Sequence, residues 1–330
     1  MATYRGISGF NIKSLASDPS NLVEGEIWYN STSGSLKVAP LLAAAWSSGT
    51  ALPGVRWNTS GTGIKTASLC FGGSTGPATP TFLNTTFEGD GSSWTSAPTT
   101  PISSINMFSA GIQTASIGGG GLNSPGSNSD SAFTYNGTTW TGITATPEVT
   151  KGAGAAGTDT AALIFGSDVP SVTMNKDSYS WNGTSWAEEG ALNTDFANGA
   201  SGGPTENTAF KVGSVFTAPE ASNVFETYNG TAWASGPTLN TPVYQNRGFG
   251  SSAECLSIGG YNQITGVERF DGSSWAAAPV LGTGRKQFAS SNFAASGITN
   301  GWVGAGADLP DGAVEEYTAA AVGATTITTS

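Results

Sequence analysis

The side chains of this sequence that could do acid–base or metal chemistry are carboxylates and thiols, because the 330 residues include no histidine. The missing imidazole excludes Ser-His-Asp and Cys-His nucleophilic catalysis and most zinc sites. Two acid pairs, Glu188–Glu189 and Glu315–Glu316, have the residue type of glycoside hydrolysis. Neighbours on a strand point to opposite faces, so neither pair can share a substrate. Acids from different strands could still meet, and a glycan depolymerase stays an alternative.

Candidate metal, phosphate and redox sites are weak. The stretch "ADLPDG" (307–312) has fewer oxygen ligands at alternating positions than a calcium loop, which favours a solvated turn. The stretch "GGGG" (118–121) opens no helix and precedes no lysine, so it is not a phosphate-binding loop. Cys70 and Cys255 each lie in an apolar, strand-like run, which predicts two buried thiols rather than a disulfide. We therefore expect no cofactor, no metal and no catalytic residue.

A turn that recurs along the chain belongs to the elements that must position any functional side chains. "SAFTYNGTTW" (131–140) has an Asn-Gly turn between aromatic-flanked arms, which predicts a β-hairpin with a two-residue type I′ turn. The turn residues that stand four positions before a tryptophan are Asp90, Asn136, Asn182, Asn229 and Asp271. The pattern is similar to the Asp box of sialidases, in which the acid stands five positions before. Sialidases also need three converging arginines, and this chain has five in all. A structural hairpin is the favoured interpretation.

The hairpins belong to a longer repeat, whose tryptophans are 42 to 48 residues apart. After each tryptophan comes a small-residue or apolar strand that runs into glycine, and then an aromatic strand. This period predicts all-β units of four strands, with glycines at positive φ and tryptophans covering the seams between units. The structural repeat residues are Trp46, Trp94, Trp140, Trp186, Trp233, Trp275, Gly72, Gly73, Gly259 and Gly260.

The Gly-Gly, aromatic and tryptophan spacing resembles that of the kelch and galactose-oxidase-like propellers. The resemblance covers about residues 43–320. The repeat count predicts a six-bladed β-propeller over residues 43–330, in which the segment around Trp46 supplies the outer strand of the last blade. The β-prone residues 325–330 could compete for that edge or extend it. Arg56 and Arg285 occupy the slot of the kelch arginine, and Asp195 and Val243 replace it elsewhere. The copper centre of galactose oxidase needs imidazole ligands, so that activity does not transfer.

Residues 1–42 lie outside the repeat and contain a second kind of hairpin, "EIWYN" and "SLKV" around a Ser-Thr-Ser-Gly turn. This stretch resembles the N-terminal leader of bacteriophage tail fibres and other virion appendage proteins. The resemblance implies a virion structural protein, present in multiple copies, in which residues 1–42 attach to other virion proteins and the propeller recognises a host-surface glycan or protein. Capsid decoration, a head fibre and an intracellular interaction scaffold stay open as further hypotheses.

The net charge and the composition of the chain limit the classes of partner that it can bind. The formal charge is −11 with only 12 lysines and arginines, which argues against nucleic acid. No apolar run is long enough to cross a membrane, and the N-terminus has no secretory signal, so we expect synthesis in a host cytoplasm and no membrane insertion. The connections after the Gly-rich strands are long and varied, as recognition loops on a rigid scaffold are. These candidate binding loops are residues 73–84, 119–130, 166–177 and 213–222.

Overall fold

A computed structural model describes residues 12–76, 81–123, 126–168, 174–214, 221–292, 297–306 and 312–327. In these residues the chain is all-β, as predicted, with short strands, one 3-10 helix and no α-helix. The chain divides into two compact units. We call residues 46–318 the repeat unit, and residues 12–45 with 319–327 the leader unit.

The leader unit contains the hairpin that the sequence predicts, formed by its second and third strands. Its first strands are β1 (Lys13–Leu15), β2 (Ile27–Asn30), β3 (Ser35–Val38) and β4 (Leu41–Leu42). Strands β2 and β3 are antiparallel, and β1 pairs with β2 in parallel. Trp28 is fully buried, and its indole N–H donates to the carboxylate of Asp18 at 3.0 Å. The amide of Asn30 donates to the same oxygen at 2.7 Å, and these two bonds lower the pKa of Asp18.

The repeat unit contains six four-stranded antiparallel sheets in its described residues, which is a propeller-like architecture. Strand β5 (Ala45–Gly49) precedes them. Sheet one consists of β6 (Ser60–Ile64), β7 (Ala67–Phe71), β8 (Thr86–Gly89) and β9 (Trp94–Ala97). Sheet two consists of β11 (Phe108–Ile112), β12 (Ala115–Gly119), β15 (Ala132–Tyr135) and β16 (Trp140–Ile143). Sheet three consists of β17 (Gly154–Gly157), β18 (Ala162–Ser167), β19 (Asn175–Trp181) and β20 (Trp186–Glu188). A small separate sheet beside sheet two consists of β10 (Ser104–Ile105), β13 (Leu122–Asn123) and β14 (Ser127–Asn128).

The remaining three sheets follow the same order. Sheet four consists of β21 (Ala200–Gly202), β22 (Phe210–Val212), β23 (Phe225–Tyr228) and β24 (Trp233–Ser235), with the 3-10 helix η1 (Glu206–Thr208) after β21. Sheet five consists of β25 (Arg247–Ser251), β26 (Glu254–Ile258), β27 (Val267–Phe270) and β28 (Trp275–Ala277), and sheet six of β29 (Ala289–Ser290), β30 (Trp302–Gly304), β31 (Val314–Thr318) and β5. The fourth strand of sheet six therefore comes from the other end of the unit.

The hairpin turns differ from the prediction in length. Tyr135 pairs with Trp140, so four residues and not two form the turn in sheet two. The side-chain oxygen of Asn136 accepts the backbone N–H of Thr138 at 2.9 Å and of Thr139 at 2.8 Å, which closes a longer loop than a type I′ turn. Asp271 accepts its second and third following N–H groups in the same way. These residues are structural, as the sequence favours.

The hydrophobic core lies in the seams between sheets. Each of five clusters joins neighbouring sheets, and one of them joins Cys70 and Phe87 of sheet one to Trp302 and Val314 of sheet six. Cys70 and Cys255 are free, fully buried thiols, as predicted. We call β6, β11, β17, β21, β25 and β29 the first strands. Each first strand contacts the first strand of the next sheet, and β29 contacts β6.

The C-terminal strand differs from its prediction. Strand β32 (Ala321–Val322) pairs with β4, and β33 (Thr325–Thr326) pairs with β3 of the leader unit and not with an edge of the repeat unit. The edge of β3 that β2 leaves open offers the backbone groups with which β33 pairs. Lys37 Nζ reinforces this pairing by donating to Thr326 Oγ1 at 2.8 Å. Residues 328–330 lie outside the described residues.

Candidate functional site

A ring of hydrogen bonds connects the residues that precede the six first strands. In each of these residues φ lies between +52° and +67°. Each donates its backbone N–H to the carbonyl of the equivalent residue in the preceding sheet, at 2.7 to 3.2 Å, and Asn58 donates to Gln287 at 2.9 Å. We call this set the amide ring, and its members are Asn58, Asn106, Gly152, Asn198, Gln245 and Gln287.

The residue types of the amide ring follow from its backbone. Asparagine and glycine adopt the left-handed region at the least cost, and four of the six positions have one of them. A Cβ at Gly152 would lie 2.5 Å from Oδ1 of Asn198, so the carboxamide of Asn198 occupies the space that the glycine leaves. All six residues are half-buried. The ring therefore presents five carboxamides, which both donate and accept hydrogen bonds.

A cavity of about 40 Å³ lies beside the amide ring, and residues from all six first strands line it. We call it the central cavity. Ser60 donates to the carbonyl of Met107 at 2.8 Å, and Ser109 donates to that of Gly61 at 3.0 Å. Each of these hydroxyls joins two neighbouring sheets and keeps its oxygen as an acceptor. The wall of the cavity is therefore polar and cross-linked.

Asn292, which lies two residues after the first strand of sheet six, reaches backbone carbonyls of two other sheets across the central cavity. Its Nδ2 donates to the carbonyl of Ser109 in sheet two and, at 3.3 Å, to that of Ala155 in sheet three. The side chain is 8% exposed, and among the described residues its Oδ1 has no hydrogen-bond partner. Because both bonds fix the amide nitrogen, the oxygen remains as a buried, unsatisfied acceptor.

Arg247 is the one charged residue that lines the central cavity within the described part of the chain. Its Nη1 donates to the carbonyl of Asn246 at 3.0 Å, and the ion pairs among the described residues do not include it. Desolvation lowers its pKa to about 10, so the guanidinium stays charged at neutral pH. By contrast, buried Arg285 lies 2.7 Å from Glu315. The place of Arg247 in the cavity was not predicted from the sequence.

The predicted loops lie at the same end as the amide ring, because the start of a first strand and the end of its antiparallel neighbour share one edge. Ser74 and Trp57 exchange backbone hydrogen bonds at 2.9 Å, and Gly121 donates to the carbonyl of Thr150 at 2.7 Å. In the shorter loop of sheet five, Tyr261 is 41% exposed and stacks on Tyr244 with a centroid distance of 4.6 Å. The parts 77–80, 124–125, 169–173 and 215–220 of the predicted loops lie outside the described residues.

No protein-family model matches this chain, and no curated protein is significantly similar to it. Among the described residues, no helix is long and apolar enough to span a membrane, and no group of three or more metal-ligating side chains occurs. The stretch "ADLPDG" is described only at Gly312.

The repeat tryptophans are scaffold residues. Each indole N–H donates to the preceding sheet, as in Trp140 to Thr86 Oγ1 at 3.0 Å and Trp233 to Ser178 Oγ at 3.0 Å. The other four donate to backbone carbonyls at 2.8 to 3.0 Å, and their acceptors are Pro279 for Trp46, Thr50 for Trp94, Thr144 for Trp186 and Pro237 for Trp275. The predicted glycines have positive φ, at +65° for Gly72, +94° for Gly73, +59° for Gly259 and +139° for Gly260.

The arginines of the predicted kelch slot are also structural. Arg56 donates to the carbonyl of Gly72 at 2.9 Å and lies 4.5 Å from the centre of the Phe87 ring. Arg285 donates to the carbonyl of Ala305 at 3.1 Å, in addition to its ion pair. Each guanidinium therefore fixes the glycine-rich end of a second strand against a third strand.

The paired carboxylates do not form a common site. Glu315 accepts from Arg285 and from the N–H groups of Gly282 and Thr283, whereas Glu316 is half-buried and interacts electrostatically with Lys65. Glu189 accepts from Tyr228 at 2.9 Å and from Ser180 at 2.7 Å, and Glu188 is exposed. As predicted, neighbouring acids point to different faces. In the described residues, no aspartate or glutamate lines the central cavity.

Proposed function

We propose that the repeat unit is a six-bladed, kelch-like β-propeller that β5 closes. Three observations support a closed ring. Strand β29 contacts β6, Asn58 donates its N–H to Gln287, and the Trp94 ring lies 5.3 Å from the Trp302 ring of sheet six. A ring closed by pairing strands from both ends leaves only short sheet edges, and this reduces edge-to-edge aggregation.

The propeller, in this proposal, is the receptor-binding part of a bacteriophage virion appendage protein. The observation that supports binding is the end of the repeat unit at which the amide ring lies, which we call the mouth. A backbone hydrogen-bond circuit fixes the amide ring, a polar cavity lies beside it, and the loops that vary between repeats begin at the same end. Rigid scaffolds that hold variable loops around a concave site are typical of recognition proteins. The leader unit, whose Ile27–Asn30 strand has the virion-leader residues, attaches to the particle.

Purified particles test the virion assignment. Antibody against the repeat unit should label tail appendages in electron micrographs, and the chain should be present in the protein content of the particles. Labelling of the capsid would replace receptor binding with decoration. Absence from the particles would overturn the proposal.

Competition tests the receptor role. The purified chain should inhibit phage adsorption to host cells in a concentration-dependent manner. Tyr261→Ala at the mouth should weaken this inhibition, and Tyr29→Ala in the leader unit is its matched control, because the two tyrosines are 41% and 40% exposed. Equal effects of the two variants would contradict a receptor site at the mouth. Release of reducing sugars from host polysaccharide would replace binding with depolymerisation.

A further inference from the structure

The central cavity contains a positive charge that no described carboxylate neutralises. Arg247 is half-buried, and the other residues that line the cavity are uncharged: hydroxyl and carboxamide side chains, glycine and alanine, and the larger apolar residues Met107, Phe108 and Phe288. Elsewhere in the repeat unit, buried Lys211 and Arg285 pair with the carboxylates of Glu226 and Glu315, at 3.0 Å and 2.7 Å. Buried Arg56 has no carboxylate among the described residues, but the Phe87 ring lies 4.5 Å from its guanidinium. A charge with few water neighbours attracts an opposite charge more strongly than a charge in bulk water does. The cavity is therefore suited to an anionic group.

The same cavity also has acceptor oxygens that need a donor. Oδ1 of Asn292 is buried and without a partner among the described residues, and so is Oδ1 of Asn106 in the amide ring. A fully ionised inorganic anion such as sulfate has acceptors only. It would neutralise the charge of Arg247 but leave both carboxamide oxygens without a hydrogen-bond donor. A ligand that carries both a negative charge and hydroxyl groups would satisfy the cation and the acceptors together.

We propose that the central cavity and the amide ring bind a sugar acid, with its carboxylate on Arg247 and its hydroxyls on Asn106 and Asn292. Guanidinium and carboxylate match as planar, two-point partners. The cavity of about 40 Å³ holds roughly three water molecules, which is the size of a carboxylate rather than of a whole sugar ring. The sugar ring would lie against the carboxamides of the amide ring. This inference rests on the proposed receptor function and names the receptor as an acidic glycan.

Calorimetric titration of the full chain with D-glucuronate tests the inference. A single sugar acid should bind with a dissociation constant on the order of 1 mM. Neutral D-glucose and inorganic sulfate should each bind about tenfold more weakly, because glucose lacks the charge and fully ionised sulfate lacks the hydroxyl donors. Equal binding of glucose would overturn the role of the charge. Tighter binding of sulfate would overturn the sugar and leave a simple anion site.

Two variants locate the site. Arg247→Gln should weaken glucuronate binding about tenfold or more, whereas Arg269→Gln, which removes an exterior arginine paired with Glu254, should leave it unchanged. Asn106→Asp keeps the size and the left-handed backbone but adds a negative charge beside the cavity, so it should abolish binding even if Arg247→Gln fails to fold. Unchanged binding in Asn106→Asp, or in a folded Arg247→Gln, would overturn the site.

The two proposals fail in different ways. If Arg247→Gln loses glucuronate but still competes with phage adsorption, the receptor is not bound through the cavity and the sugar-acid receptor is wrong, while the receptor function stands. If the chain binds glucuronate but is absent from particles, the virion function is wrong and the sugar-acid site stands.

Discussion

The buried ion pair of sheet four gives a quantitative test of how the repeat unit is stabilised. Lys211 Nζ lies 3.0 Å from Glu226 Oε1, and the two side chains are 1% and 0% exposed. The carboxylate also accepts the backbone N–H of Asn193 at 2.8 Å and of Thr194 at 3.0 Å. Burial opposes its ionisation, but Lys211 and these donors outweigh burial and lower the pKa of Glu226.

Lys211→Met leaves a charged carboxylate in the seam without its cation. We expect the free energy of unfolding at pH 7 to fall by about 3–5 kcal/mol, which is the cost of breaking a buried pair from one side. Urea unfolding followed by tryptophan fluorescence measures the change. Lys151→Met is the matched control, because its pair with Asp168 at 2.5 Å is 25% and 39% exposed and should contribute under about 1 kcal/mol.

The stability deficit of Lys211→Met should depend on pH, because it comes from the charged form of Glu226. Without Lys211, we expect burial to hold the folded-state pKa of Glu226 above its unfolded value of about 4.3. The loss in the free energy of unfolding is then fully present at pH 7, where the carboxylate is charged. It disappears as pH falls through the folded-state pKa toward the unfolded one, because the carboxylate becomes protonated. The deficit of Lys211→Met should therefore shrink between pH 7 and pH 5, and Lys211→Met with Glu226→Gln should recover part of it. A deficit as small as that of Lys151→Met, or one that does not change with pH, would refute this account.

Further predictions concern the seam, the turns and the thiols. Trp46→Ala and Trp275→Ala should each lower the free energy of unfolding by about 2–4 kcal/mol, and a neutral Trp46→Ala in the same urea assay would mean that β5 does not complete sheet six. Hydrogen bonds from Ser274 and Ser273 lower the pKa of Asp271 to about 2, so its stabilising effect is present above about pH 4 and is lost as pH falls toward 2. Asp271→Asn keeps the acceptor and should reduce the fall in melting temperature between pH 5 and pH 2.5; an unchanged fall would contradict the turn's role. Burial raises the pKa of Cys70 and Cys255, so a thiol reagent should modify them only in urea, and rapid labelling of the native chain would contradict their placement.

The sequence predicted what is local in the chain. Sheets one to five each form from a single stretch of consecutive residues within one repeat, so the spacing of tryptophan, glycine and turn residues was enough to predict them. The pairing of β33 with β3 was not predictable in this way, because it depends on which distant edge remains open. The length of the hairpin turn was also missed, since Asn-Gly suits both a two-residue turn and the longer loop that the Asn136 side chain closes.

The central cavity shows the same limit. Arg247 was missed because its significance depends on six strands that converge from distant parts of the chain. The amide ring, however, left a signal in the sequence: asparagine, glycine or glutamine stands twelve residues after every repeat tryptophan, as Asn58 follows Trp46 and Gln287 follows Trp275. Left-handed backbone positions favour such residue types, so a ring of these positions is visible in the sequence as residues repeated with the same period as the tryptophans.

The hydrogen-bond circuit of the amide ring has an electrical consequence. In a helix the peptide dipoles align and add, and they give each end a partial charge. In the amide ring the N–H···O=C bonds follow one another around a circle, so their components along it cancel and the backbone adds no net charge to the mouth. Side chains alone then set the polarity of the opening. If the proposed sugar-acid site is correct, replacing Arg247 with a neutral or acidic residue would change which ligands the central cavity attracts and leave the amide ring intact.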